Sequence, residues 1–577
     1  MHVSLALLIC FTKFSLYFHV RGELPEESDF TPTCAYALWD KHKINVITVE
    51  RNENETGPSY EIPSDYAAVA LFQNKINETG WGFLMIQTNQ RYEDEVQAYS
   101  AGFLEAMLTH DLVFMHWTNT LNNFCADKVE TCQKVQRYLK RNLKWIHGMI
   151  SRYNSSQPYW YQVNLIFQQL KGFADGYTRA IKRDVSKILS FYDLLWMNIQ
   201  GDLEDLVAAF DSDNPNIREP SIVPGSGSCA ALIKIIPNTF DLYTAHSTCS
   251  SYQSMLRLQK KYIFPFRVLG NTSRVIPGFA MSFSSYPGQI QSGDDFYITS
   301  EKLTILRTTT GNNNHSMYQH VVPERQMLAQ FRAVIAGRLA DCGRCWCKLF
   351  SQYNSGTCNS QWMVVDYKLF EIQARTSELS KHLLWVLEQL PGYIRYEDNT
   401  HILNEQSYWP SYSIPYFSDI FKLGGNAKLV EQYGSWFTYE NNPRALIFRR
   451  DHRGVVNAAR MMSFMRSNNY TQDSLSRCNC TPGHNAALAV APRGDLNPVD
   501  GRYPLASLGF RLQGATDMKL TTANLVSSFQ FIAYAGPAYN KNIPPFTWTS
   551  VPSEHAKHLG QPDMWQFGPV LHRWDWN

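Results

Sequence analysis

The spacing of apolar positions divides the chain into three stretches. Residues 31–50 and 66–87 carry apolar runs of strand length, and GWGFLMIQT at 80–88 is the clearest of them. From residue 93 to about 210 the period changes. EDEVQAYSAGFLEAMLT from Glu93, KVETCQKVQRYLKRNLKWIHGMI from Lys128 and VSKILSFYDLLWMNIQ from Val185 place Leu, Tyr and Trp at helical spacing. These predict helices whose aromatic positions are core. The run 211–228, DSDNPNIREPSIVPGSGS, ends the helical block. It is rich in turn-forming residues and predicts an exposed connection. Behind it AALIKII (230–236) and FDLYTAHS (240–247), separated by Pro237-Asn238, read as a β-hairpin.

The pattern after the hairpin is mixed. SSYQSMLRLQKKY predicts a helix capped by Ser250 or Ser251. GFAMSFSSY from Gly278, DFYITS from Asp295 and KLTILRTTT from Lys302 predict strands. Pro323 opens a predicted helix with Met327, Leu328, Phe331, Val334, Ile335 and Leu339 on one stripe, and 361–370 reads as a strand. Strand blocks and helix blocks do not alternate, which favours an α+β fold over a doubly wound sheet.

Composition sharpens this reading. A chain of 577 residues exceeds one simple core. A net charge of +2 without a basic run argues against a nucleic-acid surface. VSLALLICFTKFSLYF at 3–18 resembles the apolar part of a secretory signal peptide, placed at 1–22, and no later stretch suits an integral membrane span. Sequons at Asn54, Asn77, Asn154, Asn271, Asn314, Asn469 and Asn479 agree with a secretory route. Of 12 Cys, Cys10 leaves with the signal peptide, so an odd number remains and one thiol is expected unpaired. If that thiol is Cys229, the rest are free to bridge, with Cys125–Cys132 and Cys478–Cys480 as local candidates. CGRCWC from Cys342, with Cys358, resembles metal spacing, but a secreted chain favours disulfides there. No cofactor is expected, because the chain lacks a phosphate-cradling Gly loop, and no G-x-S-x-G elbow points to a serine hydrolase.

The candidate chemistry gathers at Ser228-Cys229. If the bond before Cys229 is cut, its thiol becomes an N-terminal nucleophile whose own α-amino group, with a reference pKa of about 7.7–8.0, serves as base. The thiol can make that cut itself by attacking the Ser228 carbonyl, and Gly225 and Gly227 permit the bent loop this requires. His246 on the return strand can orient thiol or amine, and it equally fits an ordinary strand-end His with its hydrogen bonds satisfied. The same local pattern also fits an ordinary buried cysteine that begins a strand.

SGSCAALIKIIP, DLYTAHST, SYQSMLRLQKKY, SGDDFYI, QWMVVDYK, YWPSYSIPYF and PRALIFRRD, with QAYSAGFLEA and QLKGFADGY in the front half, resemble the phospholipase B-like (laminin-ancestor) family. GDLNPVDGRYP and GQPDMWQF fit its phospholipase B-like 2 branch. The resemblance implies an N-terminal-nucleophile hydrolase with a four-layer αββα core. Its precursor is cut into fragments that stay associated: 23–210, a cleavable linker at 211–228, and 229–577. It implies Cys229 as nucleophile and active-site roles for His246, Arg444 and Thr308 or Thr309, of which Thr309 is favoured. It implies a lysosomal or extracellular acyl hydrolase, acting on phospholipid acyl esters or on linear amides, and it allows a homodimer. Two positions depart from the family pattern. Cys249 stands where the family usually has Trp, and Ser413 stands where the family has an Asn that donates to an oxyanion. A catalytically weak binding protein that keeps the fold is the alternative.

Overall fold

The computed structural model describes residues 33–40, 43–49, 62–182, 184–211, 229–237, 239, 241–270, 272–370, 379–551 and 556–574. The predicted signal peptide and nearly all of the 211–228 run, Ser228 included, lie outside them.

The larger sheet has eleven strands. Seven come from beyond Cys229 and lie in the spatial order Tyr393–Asp398, Leu384–Leu390, Ser360–Asp366, Leu303–Thr309, Phe296–Thr299, Ala280–Ser285, Leu258–Ile263. The sheet continues through Trp81–Thr88, Ala68–Lys75, Thr33–Asp40 and Lys43–Val49. All neighbours are antiparallel except at the join between the halves, where Trp81–Thr88 runs parallel to Leu258–Ile263 with Gly82 opposite Leu258. The second sheet has six antiparallel strands, in the order Tyr408–Ser411, Ala230–Ile236, Asp241–Ser247, Asp517–Thr522, Ile532–Ala535, Pro569–Leu571. Every one of its strands follows Cys229.

Alternation along the strands sorts side chains into stacked apolar clusters. Ile86, Phe283, Ile305 and Trp362 of the large sheet pack on Ala98, Ala101 and Leu104 of the helix Asp94–Thr120 and on Ala333 and Ala336 of the helix Ala329–Leu339. On the opposite face Phe83, Phe296, Leu306 and Met363 meet Ala231, Ile233, Leu242 and Ala533 of the small sheet. The far face of the small sheet, with Leu232, Tyr243, Ala245 and Leu520, is covered by Phe448 and Met461 from the helices Pro443–Asp451 and Ala458–Met465. Strand blocks with segregated helices make the fold α+β. Among the described residues no helix is long and apolar enough to cross a membrane.

Three sequence expectations are corrected. Residues 250–262 do not form one helix. Cys249–Ser251 is a short strand, Tyr252–Ser254 a single 3-10 turn, and Leu258–Ile263 a central strand. A helical reading treats Lys260 as solvated. Instead it is fully buried, and its ammonium donates to Glu105 Oε1 (2.7 Å) and to the Tyr286 carbonyl (3.1 Å). The 185–200 helix is broken, because Ser190 and Asp193 form a capping box that starts a new helix at Phe191–Asn198. The helix expected from Pro323 begins only at Ala329, because the Met327 N–H is taken by the Tyr353 carbonyl at 2.8 Å.

Candidate active site

The apolar run Ala230–Ile236 forms a strand buried on both faces and pairs with Asp241–Ser247 from Ala230↔Ser247 to Ile236↔Asp241. Cys229 immediately precedes it and is 8% exposed. Three groups hold it. The Cys249 N–H donates to its Sγ at 3.4 Å, and Ser413 Oγ (3.3 Å) and Arg444 Nη2 (3.2 Å) both donate to its carbonyl oxygen. Burial pushes the Cys229 thiol up in pKa, while the Cys249 N–H and the charges of Arg307 and Lys519 pull the other way.

His246 lies opposite Ala231 across the hairpin and opposite Lys519 on the other side. It is fully buried, and its Nε2 lies 2.8 Å from the Arg307 carbonyl. A carbonyl only accepts, so Nε2 carries the hydrogen and Nδ1 keeps its lone pair. Burial, helped by Lys519, pushes the ring down to about 3, so it is neutral at physiological and mildly acidic pH. A ring held that low is a weak base, so its free Nδ1 lone pair is suited to accepting a hydrogen bond rather than to taking a proton.

Beside it lies a charged network that the sequence did not announce. Lys519 Nζ contacts Asp517 Oδ2 (2.8 Å), Thr248 Oγ1 (2.6 Å) and Asp294 (3.6 Å). Arg257 pairs with Asp294 and with Asp517 at 2.5 Å. The Thr248 N–H donates to Asp517 at 2.9 Å. Burial alone would raise the Asp517 carboxyl, but Arg257 and Lys519 outweigh it and hold the group below the usual carboxylate range. Arg307 pairs with Asp295, whose carboxyl burial pushes up to about 7 against that partner. Four of these residues lie in segments read above for helix or strand pattern or as family blocks, never as site residues: Asp294 and Asp295 in SGDDFYI, Arg257 in SYQSMLRLQKKY and Arg307 in KLTILRTTT. Adjacent acids in an apolar strand block were the available signal.

The remaining expected residues separate. Arg444, fully buried near the start of the helix Pro443–Asp451, reaches Cys229 and the Val490 carbonyl (3.3 Å). Ser413 has φ +68° and is 4% exposed, with its hydroxyl directed at Cys229's own carbonyl. The two threonines named as alternatives, Thr308 and the favoured Thr309, face opposite ways. Leu306 packs between the sheets and Ile305 among the helices, so alternation puts Thr308 between the sheets and Thr309 on the helix side. Thr308 Oγ1 lies 2.6 Å from Ser411 Oγ, on the strand next to Cys229's own.

The cysteine arithmetic is corrected as well. Cys125–Cys132, Cys478–Cys480 and Cys342–Cys345 are bridged, but Cys34, Cys249, Cys347 and Cys358 are buried free thiols alongside Cys229. Among the sequons, Asn77, Asn469 and Asn479 are exposed and Asn154 is half-buried. Asn314 already donates its amide to the Leu423 carbonyl at 2.9 Å, and Asn54 and Asn271 lie outside the described residues.

The chain is similar to known proteins over most of its length. Residues 68–572 match the family model described as Phospholipase B. A Mus musculus protein named "Putative phospholipase B-like 2" is 43% identical over 520 residues, covering 89% of this chain and 86% of its own length. A Caenorhabditis elegans protein named "Putative phospholipase B-like 1" is 41% identical over 89% of this chain and 88% of its own length. "Phospholipase B-like protein B" of Dictyostelium discoideum is 36% identical over 90% and 88%.

Proposed function

The chain belongs to the phospholipase B family, and from that premise we propose a self-processed acyl hydrolase with Cys229 as its N-terminal nucleophile. The observation that carries the reading is the junction at Cys229. A buried thiol immediately before a core strand is held through both its sulfur and its carbonyl, directly behind a turn-rich run. The stacked clusters described above support the four-layer αββα arrangement of N-terminal-nucleophile hydrolases. The parallel join of Trp81–Thr88 to Leu258–Ile263 supports fragments that stay associated after the cut.

In processing, the Cys229 sulfur attacks the Ser228 carbonyl carbon. The S–C bond forms, the C–N bond breaks, and the proton passes to the departing amine, which becomes the α-amino group of Cys229. Water hydrolyses the thioester and frees the thiol. In turnover the α-amino group takes the thiol proton, the sulfur attacks the substrate acyl carbon, and the alcohol or amine leaves with that proton. Water then attacks the acyl thioester, the C–S bond breaks, and the fatty acid and the free Cys229 thiol are released. The Cys249 N–H stabilises negative sulfur, and the nearby cations lower the cost of charge in a buried site. The substrate is an acyl ester of a phospholipid, and a linear amide is open to the same steps. The proposed compartment is the lysosome or the cell exterior.

One observation favours the weaker alternative, a binding protein that keeps the fold. Ser413 spends its hydroxyl on Cys229 rather than presenting it to a substrate oxyanion. Loss of one such donor costs about 2.7–4 kcal/mol of transition-state stabilisation. Purified, cut protein assayed on phospholipids and on N-acyl amides tests the proposal. Release of fatty acid that Cys229→Ala abolishes is expected. Absence of release from both substrate classes would leave the binding protein.

A further inference from the structure

Cys342 and Cys345 take no part in the site at Cys229. They belong to the sequence Cys342-Gly343-Arg344-Cys345, which opens the helix Gly343–Phe350, with Cys342 at the N-cap. Where a cap is usually a hydroxyl or carboxylate, the Cys342 Sγ accepts the Cys345 N–H at 3.1 Å. That donor and the positive end of the helix favour negative sulfur, and so the reduced form of the pair. The bridge spans a sequence separation of 3, against 7 for Cys125–Cys132. It closes so short a loop that it removes little chain entropy and is a poor staple.

Access points the same way. Cys342 and Cys345 are half-buried, whereas the five free thiols of the described residues are buried. The helix behind them is fixed: Trp346 is fully buried, with its ring 4.8 Å from Phe350 and 5.1 Å from Trp362. Asp341, next to Cys342 in the chain, also lines a groove of about 580 Å³ with Arg274, Ile276, Phe279 and Glu301, and neither cysteine is part of that lining. A carboxylate oxygen of Asp341 lies within 4.8 Å of both sulfurs.

We propose that Cys342–Cys345 is a thiol–disulfide exchange site acting on small peptide disulfides of the glutathione class. In the reduced pair, the Cys342 thiolate attacks one sulfur of the substrate. A Cys342–substrate S–S bond forms, the substrate S–S bond breaks, and the released thiolate takes a proton from solvent. Cys345 then loses its proton, with Asp341 placed to receive it, and attacks Cys342 Sγ. The internal bridge closes and the second substrate thiol leaves. Two electrons and two protons pass from the pair to the substrate, and two equivalents of a glutathione-class thiol restore the pair by the reverse exchange.

The test uses the full, secreted protein in graded glutathione buffers, quenched by alkylation and mapped by mass. Cys342 and Cys345 should interconvert between bridged and reduced forms while Cys125–Cys132 stays oxidised. Cys345→Ser treated with glutathione disulfide should accumulate a mixed disulfide on Cys342. Cys342→Ser should form about tenfold less on Cys345, which lacks the cap position. If either variant fails to be secreted, the wild-type titration decides alone. A pair that stays oxidised until the protein unfolds, or equal adducts on the two cysteines, would overturn the proposal. So would reduced thiols that release zinc to a chelator, because Asp341, Cys342 and Cys345 would then be metal ligands.

Discussion

The two sheets are built from different parts of the chain. The eleven-stranded sheet draws strands from both sides of the 211–228 run, and the six-stranded sheet draws every strand from after it. The nucleophile candidate and the return strand bearing His246 belong to the unshared sheet. The shared sheet therefore joins strands from both halves, and the unshared sheet carries the candidate chemistry. A cut before Cys229 severs no strand of either sheet.

The largest expected effect comes from the unshared sheet. Cys229→Ala keeps a small residue at the strand start but removes the sulfur. The chain should be secreted at the wild-type level yet remain uncut and lack hydrolase activity, as read on a reducing gel beside a fatty-acid release assay. Cutting of this variant at the wild-type bond would assign the cleavage to another protease.

The next effect belongs to the shared sheet. A Cβ at Gly82 would lie 2.6 Å from Leu258 Cδ2, directly across the parallel join. Gly82→Val should cost about 1–3 kcal/mol by overpacking. The denaturant midpoint should fall further in the cut protein than in an uncut Cys229→Ala background, where the covalent chain still links the halves. Equal shifts in both would mean the join does not hold the fragments.

A third prediction concerns the contact between the sheets. Glu388, on a strand of the large sheet, accepts the N–H groups of Tyr416 (2.6 Å) and Phe417 (3.0 Å), just past the edge strand of the small one. Burial pushes its carboxyl from 4.5 up to about 7, although those N–H groups favour the charged form. Between these pH values the folded state holds a proton that the unfolded chain has lost. The contribution is therefore complete in acid and disappears as pH rises, worth about 3 kcal/mol across the window. Melting temperature should fall with rising pH in the wild type and fall less in Glu388→Gln. An identical pH slope in the variant would remove Glu388 as its source.

The smallest effect is at Ser413. A φ of +68° is more comfortable for Asn than for Ser, and an Asn side chain reaches beyond the Cys229 carbonyl that Ser413 Oγ now serves. Ser413→Asn should raise turnover several-fold without changing the extent of cutting. Unchanged turnover would mean this donor does not limit the reaction.

What was legible in the sequence follows from range. The hairpin 230–247 was readable because an apolar run, a turn and a second apolar run lie side by side. The strand Leu258–Ile263 was not, because Lys260 is made tolerable inside by Glu105, a partner on a distant helix. The same limit hid the Arg257, Asp294, Asp517 and Lys519 network, whose members meet only after both sheets have formed. Thr308 and Thr309 are adjacent and chemically alike, so only the strand's facing separates them. Cys229, His246 and Arg444 were legible through motifs that resemble a family. The turn that gives Ser413 its positive φ left no mark in the pattern.

The central claim is that self-cleavage makes Cys229 the N-terminus of the catalytic fragment. N-terminal sequencing of the larger fragment, separated from secreted wild-type protein under reducing, denaturing conditions, tests it most directly. The account predicts a sequence that begins Cys229-Ala230-Ala231-Leu232. A fragment that begins at any other residue, or a mature chain that is never cut, would contradict it.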